Sequence, residues 1–309
     1  MRTSGDALTG ERERRVRKAV ADVRPDLAEA GALRPLGEGF ESVALLLEPP
    51  GGPAHVLRFP RNEDGAEGIA CETRLLPELA PRLPVPVPRF AFTAPNPLGP
   101  GTFCCYPAVP GDSLRPEEWH ARGLLDEPGP VRLIARVLDA VHAFPAERAR
   151  ELGVPLQEPR EEYADSERLA REHVVPLLPR GEADALLAAF GAYLGDDANF
   201  PDEPVLIHGD VSLDHLLVTG TEITGLIDFG DVAVGDPDFD LAYLWQQAGP
   251  GLVRRVQEER GAPMTARLEA KLRFWALADP VEDVLHGMEN DLPDLSERRL
   301  ADLRTLLSP

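Results

Sequence analysis

Leu206-Ile207-His208-Gly209-Asp210-Val211-Ser212-Leu213-Asp214-His215, taken up again at Leu226-Ile227-Asp228-Phe229-Gly230-Asp231, is the stretch on which the reading of this chain turns. In each half a short apolar run leads into charged residues. Aspartates that follow buried β-runs stand at strand ends, where a rigid core holds them in mutual reach while they stay partly solvated. His215 comes five positions after Asp210, and Asp228 eighteen. The pattern reads as a site in which Asp210 accepts a proton or orients a nucleophile, while His215 and Asp228 hold a divalent cation. The plainer reading, aspartates bonded to their own turn backbone and a histidine satisfied in the core, must account for three ligand-type residues at once. It suits Asp231, Asp236 and Asp240 better, because Gly235-Asp236-Pro237-Asp238 is ordinary turn chemistry.

Outward from this stretch the texture divides the chain. Residues 11–30 carry Val16, Val20, Val23 and Leu27 at helical spacing, which predicts an amphipathic helix ending near Gly31. From Leu33 to Phe59, the runs Val43–Leu47 and Val56–Phe59 are separated by glycine- and proline-rich punctuation, the mark of antiparallel hairpins. Helical spacing returns over 65–80, and Leu83–Phe92 and Thr102–Tyr106 read as two further strands. After Pro107 the pattern is mainly helical, over Val131–Phe144, Tyr163–Leu178 and Ala183–Leu194. It is interrupted by β-like runs at Val205–Ile207, Leu216–Val218 and Ile223–Phe229. No repeat or long linker appears, so the turn at Pro107–Gly111 is the boundary the sequence offers.

Composition narrows the partners. In 309 residues, 32 Lys+Arg stand against 53 Asp+Glu, a net charge of −21, so a nucleic-acid backbone finds little to bind and cations are favoured. Lys18 and Lys271 are the only lysines. Gly 27 and Pro 32 stay below the fraction of roughly a quarter that marks low-complexity chains. Cys71, Cys104 and Cys105 offer no disulfide framework, the start of the chain has no apolar leader, and no run reaches the roughly 18–20 apolar residues of a membrane helix. A soluble cytoplasmic protein without a membrane partner is expected.

His208-Gly209-Asp210, with His215 five residues on, then Ile227-Asp228-Phe229-Gly230-Asp231 and Gly235-Asp236-Pro237-Asp238-Phe239-Asp240-Leu241-Ala242, resembles the aminoglycoside phosphotransferase family of kinase-like enzymes. The resemblance runs over about residues 30–290. It implies an α+β fold of two protein-kinase-like lobes: an antiparallel sheet with helices over residues 1–107, which binds nucleotide, and a mainly helical catalytic and substrate lobe over 108–309. It also implies ATP or GTP as phosphoryl donor and Mg²⁺ as cofactor. In such kinases the catalytic-loop aspartate takes the acceptor hydroxyl proton and the aspartate before Phe-Gly holds the metal. These roles fall to Asp210 and Asp228. His215 stands where many relatives have asparagine, as in the 2″-aminoglycoside and macrolide branches.

Upstream, Leu36-Gly37-Glu38-Gly39-Phe40-Glu41-Ser42 sits between strand-like runs and is similar to the family's glycine loop, with Gly37, Gly39 and Ser42 at the triphosphate. A bare Gly-x-Gly is more often an ordinary hairpin. A dinucleotide fingerprint would need glycine at 42, and neither lysine follows a glycine as a Walker A loop requires. No lysine follows Lys18 in this lobe, so the phosphate-pairing place on the third strand falls to Arg58, with Glu72 as its helix partner. Phe103 to Gly111 is similar to the hinge, where Pro107 and Val109 would read the purine edge and Tyr106 would be the gatekeeper. In the 2″ branch a bulky gatekeeper goes with use of GTP.

For the acceptor, Trp275, Asp279 and Glu282, with Asp283 and His286, fall along one helix that would face a cleft and take a hydroxylated, polycationic small molecule. Against this, relatives of the 2″ type carry acidic residues where this chain has Trp245, Gln246 and Gln247. A macrolide or another natural product stays open as acceptor. So do two other classes: a metal-dependent phosphohydrolase built on His208, Asp210, Asp214, His215, Asp228 and Asp231, and a silent nucleotide-binding protein. The expected assembly is a monomer or weak dimer.

Overall fold

Prolines and glycines punctuate the first part of the chain into hairpins, and the computed structural model, which describes residues 10–28 and 31–308, places strands between them. The elements in chain order are α1 (Gly10–Val23), α2 (Pro25–Ala28), β1 (Ala32–Glu38), β2 (Ser42–Glu48), β3 (His55–Pro60), α3 (Glu63–Leu79), β4 (Phe92–Pro95) and β5 (Thr102–Pro107). There follow α4 (Pro116–Ala121), α5 (Pro128–His142), α6 (Ala146–Glu151), α7 (Pro159–Leu169), α8 (Arg180–Leu194), β6 (Val205–Ile207), β7 (Leu216–Thr219), β8 (Glu222–Leu226) and β9 (Ala233–Gly235). The chain closes with α9 (Ala242–Glu259), α10 (Ala266–Glu289) and α11 (Pro293–Leu307).

Two compact units form. The first holds the described residues up to Leu124, Glu147–Val154 and Asp214–Val232; the second holds Leu125–Ala146, Pro155–Leu213 and the chain from Ala233 onward. The chain therefore does not divide at Pro107, because the β7–β8 hairpin joins the first unit through the Asp112–Val218 bridge and the Leu226 N–H donated to Pro86.

In the first unit a five-stranded antiparallel sheet runs in the order β1-β2-β3-β5-β4. Side chains alternate across it. Leu57 and Phe59 of β3, with Phe103 and Cys105 of β5, pack against Val16 and Val20 of α1. The other parity, Val56, Cys104 and Tyr106, packs with Ile69 of α3. Both faces are covered, so all six residues of β3 are buried, and Arg58 falls by parity on the α3 side. The strand expected over Leu83–Phe92 does not form. Pro84, Pro86 and Pro88 donate no N–H, and this part of the chain joins β5 as a strand only from Phe92, over Phe92–Pro95. The opening helix breaks at Arg24, before Pro25, and positions 29 and 30 lie outside the described residues.

The second unit is mainly helical. The apolar stripe of α5 (Val131, Ile134, Leu138, Val141) is buried, and β6 pairs with β9 through Ile207–Ala233. The long helix expected over Tyr163–Leu178 gives way to a π turn at Ala170–Val174 and a 3-10 turn at Val175–Leu177, around Pro176. Tyr193 stacks on Phe274 at 3.9 Å, and Phe190 meets Phe274 edge-on at 5.2 Å. Among the described residues no helix is long and apolar enough to cross a membrane.

Candidate active site

Arg58 is the centre of the first unit's polar interior. It is 8% exposed on β3, and its Nη1 donates to both oxygens of Glu72, at 2.8 and 2.9 Å. Glu72 is fully buried on the same α3 face as Ile69, and α3 starts where the Asn62 side chain accepts the Gly65 N–H. Burial pushes the Glu72 carboxyl up to about 7, against the pull of the Arg58 guanidinium. Arg58 Nη2 lies 3.3 Å from Asp228 Oδ1, so one guanidinium links sheet, helix and the loop after β8. His215 Nε2 lies 3.7 Å from Asp228 Oδ2, and the Ile227 N–H donates to the His215 carbonyl. Asp228 adopts φ of 63°, a left-handed backbone that turns its half-exposed carboxylate toward these partners.

The glycine loop is the tip of the β1–β2 hairpin. The Gly39 N–H donates to the Ser42 carbonyl at 2.9 Å, and Arg61 donates to the Gly39 carbonyl and pairs with Glu38. A methyl group added at Gly37 would meet nothing within 4 Å, so the room there is real and unused by the chain itself. Tyr106 is buried against Phe90, ring centroids 5.7 Å apart; burial pushes its phenol up although Arg58 pulls it down. After Pro107, the Ala108 N–H is engaged by the Ala54 carbonyl, and Pro110 accepts from Thr224. The first unit thus brings together Arg58, Glu72, Asp228 and His215, with Tyr106 in their field.

Asp210 belongs to the second unit, on the loop leaving β6. Three acceptors shape that loop. Asp240 takes the His208 N–H at 3.1 Å and the Gly209 N–H at 2.8 Å, and Gln247 takes the Leu213 N–H at 2.7 Å. Gly209 has φ of 83°, which a side chain would strain. Asp240 is 1% exposed and also meets His142 Nε2 at 2.9 Å. Turn composition hid this part played by Asp240. For its neighbours the turn reading holds: the Asp238 N–H donates to Asp236 Oδ1, and both carboxylates clasp the buried Lys271, at 2.6 and 2.7 Å.

The α10 residues do not form an open row. Trp275 is 2% exposed, packed edge-on against Phe239 at 5.3 Å and beneath Lys271. Asp279 is bonded by Arg299 and Tyr243, Arg299 also pairs with Asp283 at 2.7 Å, and Glu282 accepts from the buried Ser166. Their physical difference from the expectation is one of partners: α11 supplies a cation, and α7 a hydroxyl, that the spacing on α10 alone does not reveal.

Comparison with known proteins decides what this arrangement belongs to. The model of the phosphotransferase enzyme family matches residues 32–275. The chain belongs to the phosphotransferase enzyme family. The solved GDP and kanamycin complex of APH(2″)-IIia is 29% identical, with a TM-score of 0.85 over 94% of this chain and 97% of that one. Macrolide 2′-phosphotransferase MphH from Brachybacterium faecium is 26% identical, with a TM-score of 0.70 over 93% and 97%. An aminoglycoside 3′-phosphotransferase of Escherichia coli is 38% identical over 80 residues, 25% of this chain and 29% of that protein. The fold is therefore kinase-like, with a sheet lobe and a helical lobe, and the protein is an enzyme, a small-molecule O-phosphotransferase. The hydrolase and the silent binder drop out.

Proposed function

We propose that this phosphotransferase moves the γ-phosphate of ATP or GTP to a hydroxyl of an aminoglycoside-like antibiotic, as a monomer or weak dimer in the cytoplasm. The observation that carries the reading is the Arg58 bridge, a buried guanidinium held by Glu72 with one nitrogen still turned to Asp228. Held so, its permanent charge is fixed where phosphate oxygens need neutralising. Gly37, Gly39 and Ser42 would lie over the triphosphate. The Ala108 N–H is engaged inside the chain, and the Pro107 carbonyl and the Val109 backbone would read the base.

Asp228 and His215 would hold Mg²⁺, Asp228 through the carboxylate oxygen that such a hard cation prefers and His215 through Nε2, which lies 3.7 Å from Asp228 Oδ2. Among the described residues no cluster of three metal-ligating side chains occurs, and Mg²⁺ takes its remaining ligands from phosphate and water. When bound, the ion would neutralise charge on the β- and γ-phosphates. Asp210 would accept the acceptor hydroxyl's proton as the oxygen attacks the γ-phosphorus. The loop bonds from Asp240 and Gln247 would hold that carboxylate still while transfer proceeds.

The relative solved with GDP and kanamycin supports a guanine nucleotide and an aminoglycoside. A macrolide-type acceptor is the second reading, favoured by Arg299, which already neutralises Asp279 and Asp283. The deciding experiment incubates the protein with Mg²⁺ and either ATP or GTP over aminoglycosides, macrolides and tuberactinomycin-like peptides. It reads nucleoside diphosphate release and the mass gain of one phosphate on the acceptor. Asp210→Ala should keep nucleotide affinity and lose transfer by roughly a thousandfold; wild-type turnover in that variant would remove Asp210 from the mechanism. Transfer from ATP with none from GTP would remove the gatekeeper argument at Tyr106.

A further inference from the structure

Arg260, at the C-terminal cap of α9, has no part in the mechanism above, yet its side chain is only 14% exposed and each of its nitrogens is directed. Nε donates to Asp139 Oδ1 at 2.8 Å, Nη1 to Gln257 Oε1 at 3.0 Å, and Nη2 lies 3.0 Å from His142 Nδ1. A guanidinium has donors and no acceptor, so the contact at Nδ1 requires a lone pair there. The single proton of a neutral imidazole then sits on Nε2, which faces Asp240 Oδ2 at 2.9 Å. Asp240 in turn receives the His208 and Gly209 N–H groups, the two residues before Asp210.

We propose that Arg260 is a positioning residue for phosphoryl transfer: by donating to His142 Nδ1 it fixes the Nε2–H tautomer, whose bond to Asp240 sets the carboxylate that holds the catalytic loop. The inference rests on the reading of Asp210 as the residue that aligns the acceptor. Asp139, whose side chain is 56% exposed, holds the guanidinium from the solvent side. A bare surface ion pair between Arg260 and Asp139 would leave both imidazole and loop indifferent to Arg260.

The test compares wild type, Arg260→Ala and Arg260→Gln, because the glutamine amide keeps a donor for Nδ1 without the charge. Selective ¹⁵N labelling of histidine in the full chain should show His142 as the neutral Nε2–H form in wild type and Arg260→Gln, and lose that signature in Arg260→Ala. In Arg260→Ala, kcat should fall roughly 10-fold with both KM values nearly unchanged, and the glutamine variant should recover most of it. An unchanged His142 signature in Arg260→Ala, or a glutamine variant as impaired as the alanine one, overturns the proposal. If the wild-type protein phosphorylates no acceptor, the functional reading fails by itself. The inference is then decided by exchange of the His208 and Gly209 amides, which should be roughly 10-fold faster in Arg260→Ala and is overturned by equal rates.

Discussion

Asp228 combines a backbone requirement with a chemical one, and the two can be separated. Among the described residues it shares positive φ outside glycine only with Asp291. That conformation costs an ordinary side chain on the order of 1 kcal/mol, while aspartate and asparagine tolerate it through local hydrogen bonding. Asp228→Asn should therefore keep thermal stability close to wild type and lose Mg²⁺-dependent nucleotide affinity, whereas Asp228→Ala should lose affinity and about 1 kcal/mol of stability as well. Melting curves beside Mg²⁺ titrations of nucleotide binding check both, and equal melting of the two variants would show that the backbone is not strained. Gly37 poses the opposite case, since its φ is not in the left-handed region and its surroundings are empty. Gly37→Ala should fold as wild type does and raise the nucleotide KM several-fold, because the added methyl meets only a ligand. An unaltered KM would place the triphosphate elsewhere.

At the scale of elements, α3 decides whether Glu72 meets Arg58, and a clasp at its far side holds α3. Arg74 donates to the Leu152 carbonyl at 2.6 Å, and Glu78 pairs with Arg148 at 2.6 Å. Gly153 lies under that guanidinium with φ of 92°, and a methyl group there would stand 2.3 Å from Arg74 Nη2. Gly153→Ala should cost roughly 1–3 kcal/mol in denaturant unfolding and lower nucleotide affinity by displacing Glu72, although no nucleotide contact is altered. Full affinity in a destabilised variant would uncouple the clasp from the site. Sequence periodicity showed α3 itself, through Ile69, Leu75, Leu76 and Leu79, but a carbonyl acceptor and a left-handed glycine leave no periodic mark. The same limit explains the other differences. Val85 and Val87 alternate as in a strand, yet the prolines on either side of each, Pro84, Pro86 and Pro88, give no ladder. Asp210, His215 and Asp228 stood out because short apolar runs lead into them, whereas Asp240 lay hidden in turn composition and Arg299 on another helix.

For the whole molecule, the balance of charge sets how stability responds to pH. The net charge of −21 adds self-repulsion that grows as carboxylates ionise. Burial raises Asp236, Asp279 and Glu282, and takes Glu72 from 4.5 to about 7. A raised folded value means the folded chain keeps a proton that the unfolded chain has released. The stability this contributes is present at low pH and is lost as pH rises, for Glu72 between 4.5 and about 7. Asp240 has the opposite sign: burial works to raise it, but the hydrogen bonds from His142 and the Gly209 N–H hold it below its ordinary value. Its contribution is present above the ordinary carboxylate range and disappears as pH falls through its depressed value. The melting temperature should therefore rise from about pH 8 to about pH 5.5 and fall again in stronger acid, as Asp240 and the surface carboxylates lose their charge. Because repulsion between exposed carboxylates is screened by salt while the buried shifts are not, added sodium chloride should raise the melting temperature at the alkaline end and do little at the acid one. Differential scanning calorimetry over pH at two salt concentrations tests this, and a melting temperature that climbs steadily toward pH 8 at either concentration would mean that buried carboxylates and net charge do not govern the stability of this enzyme.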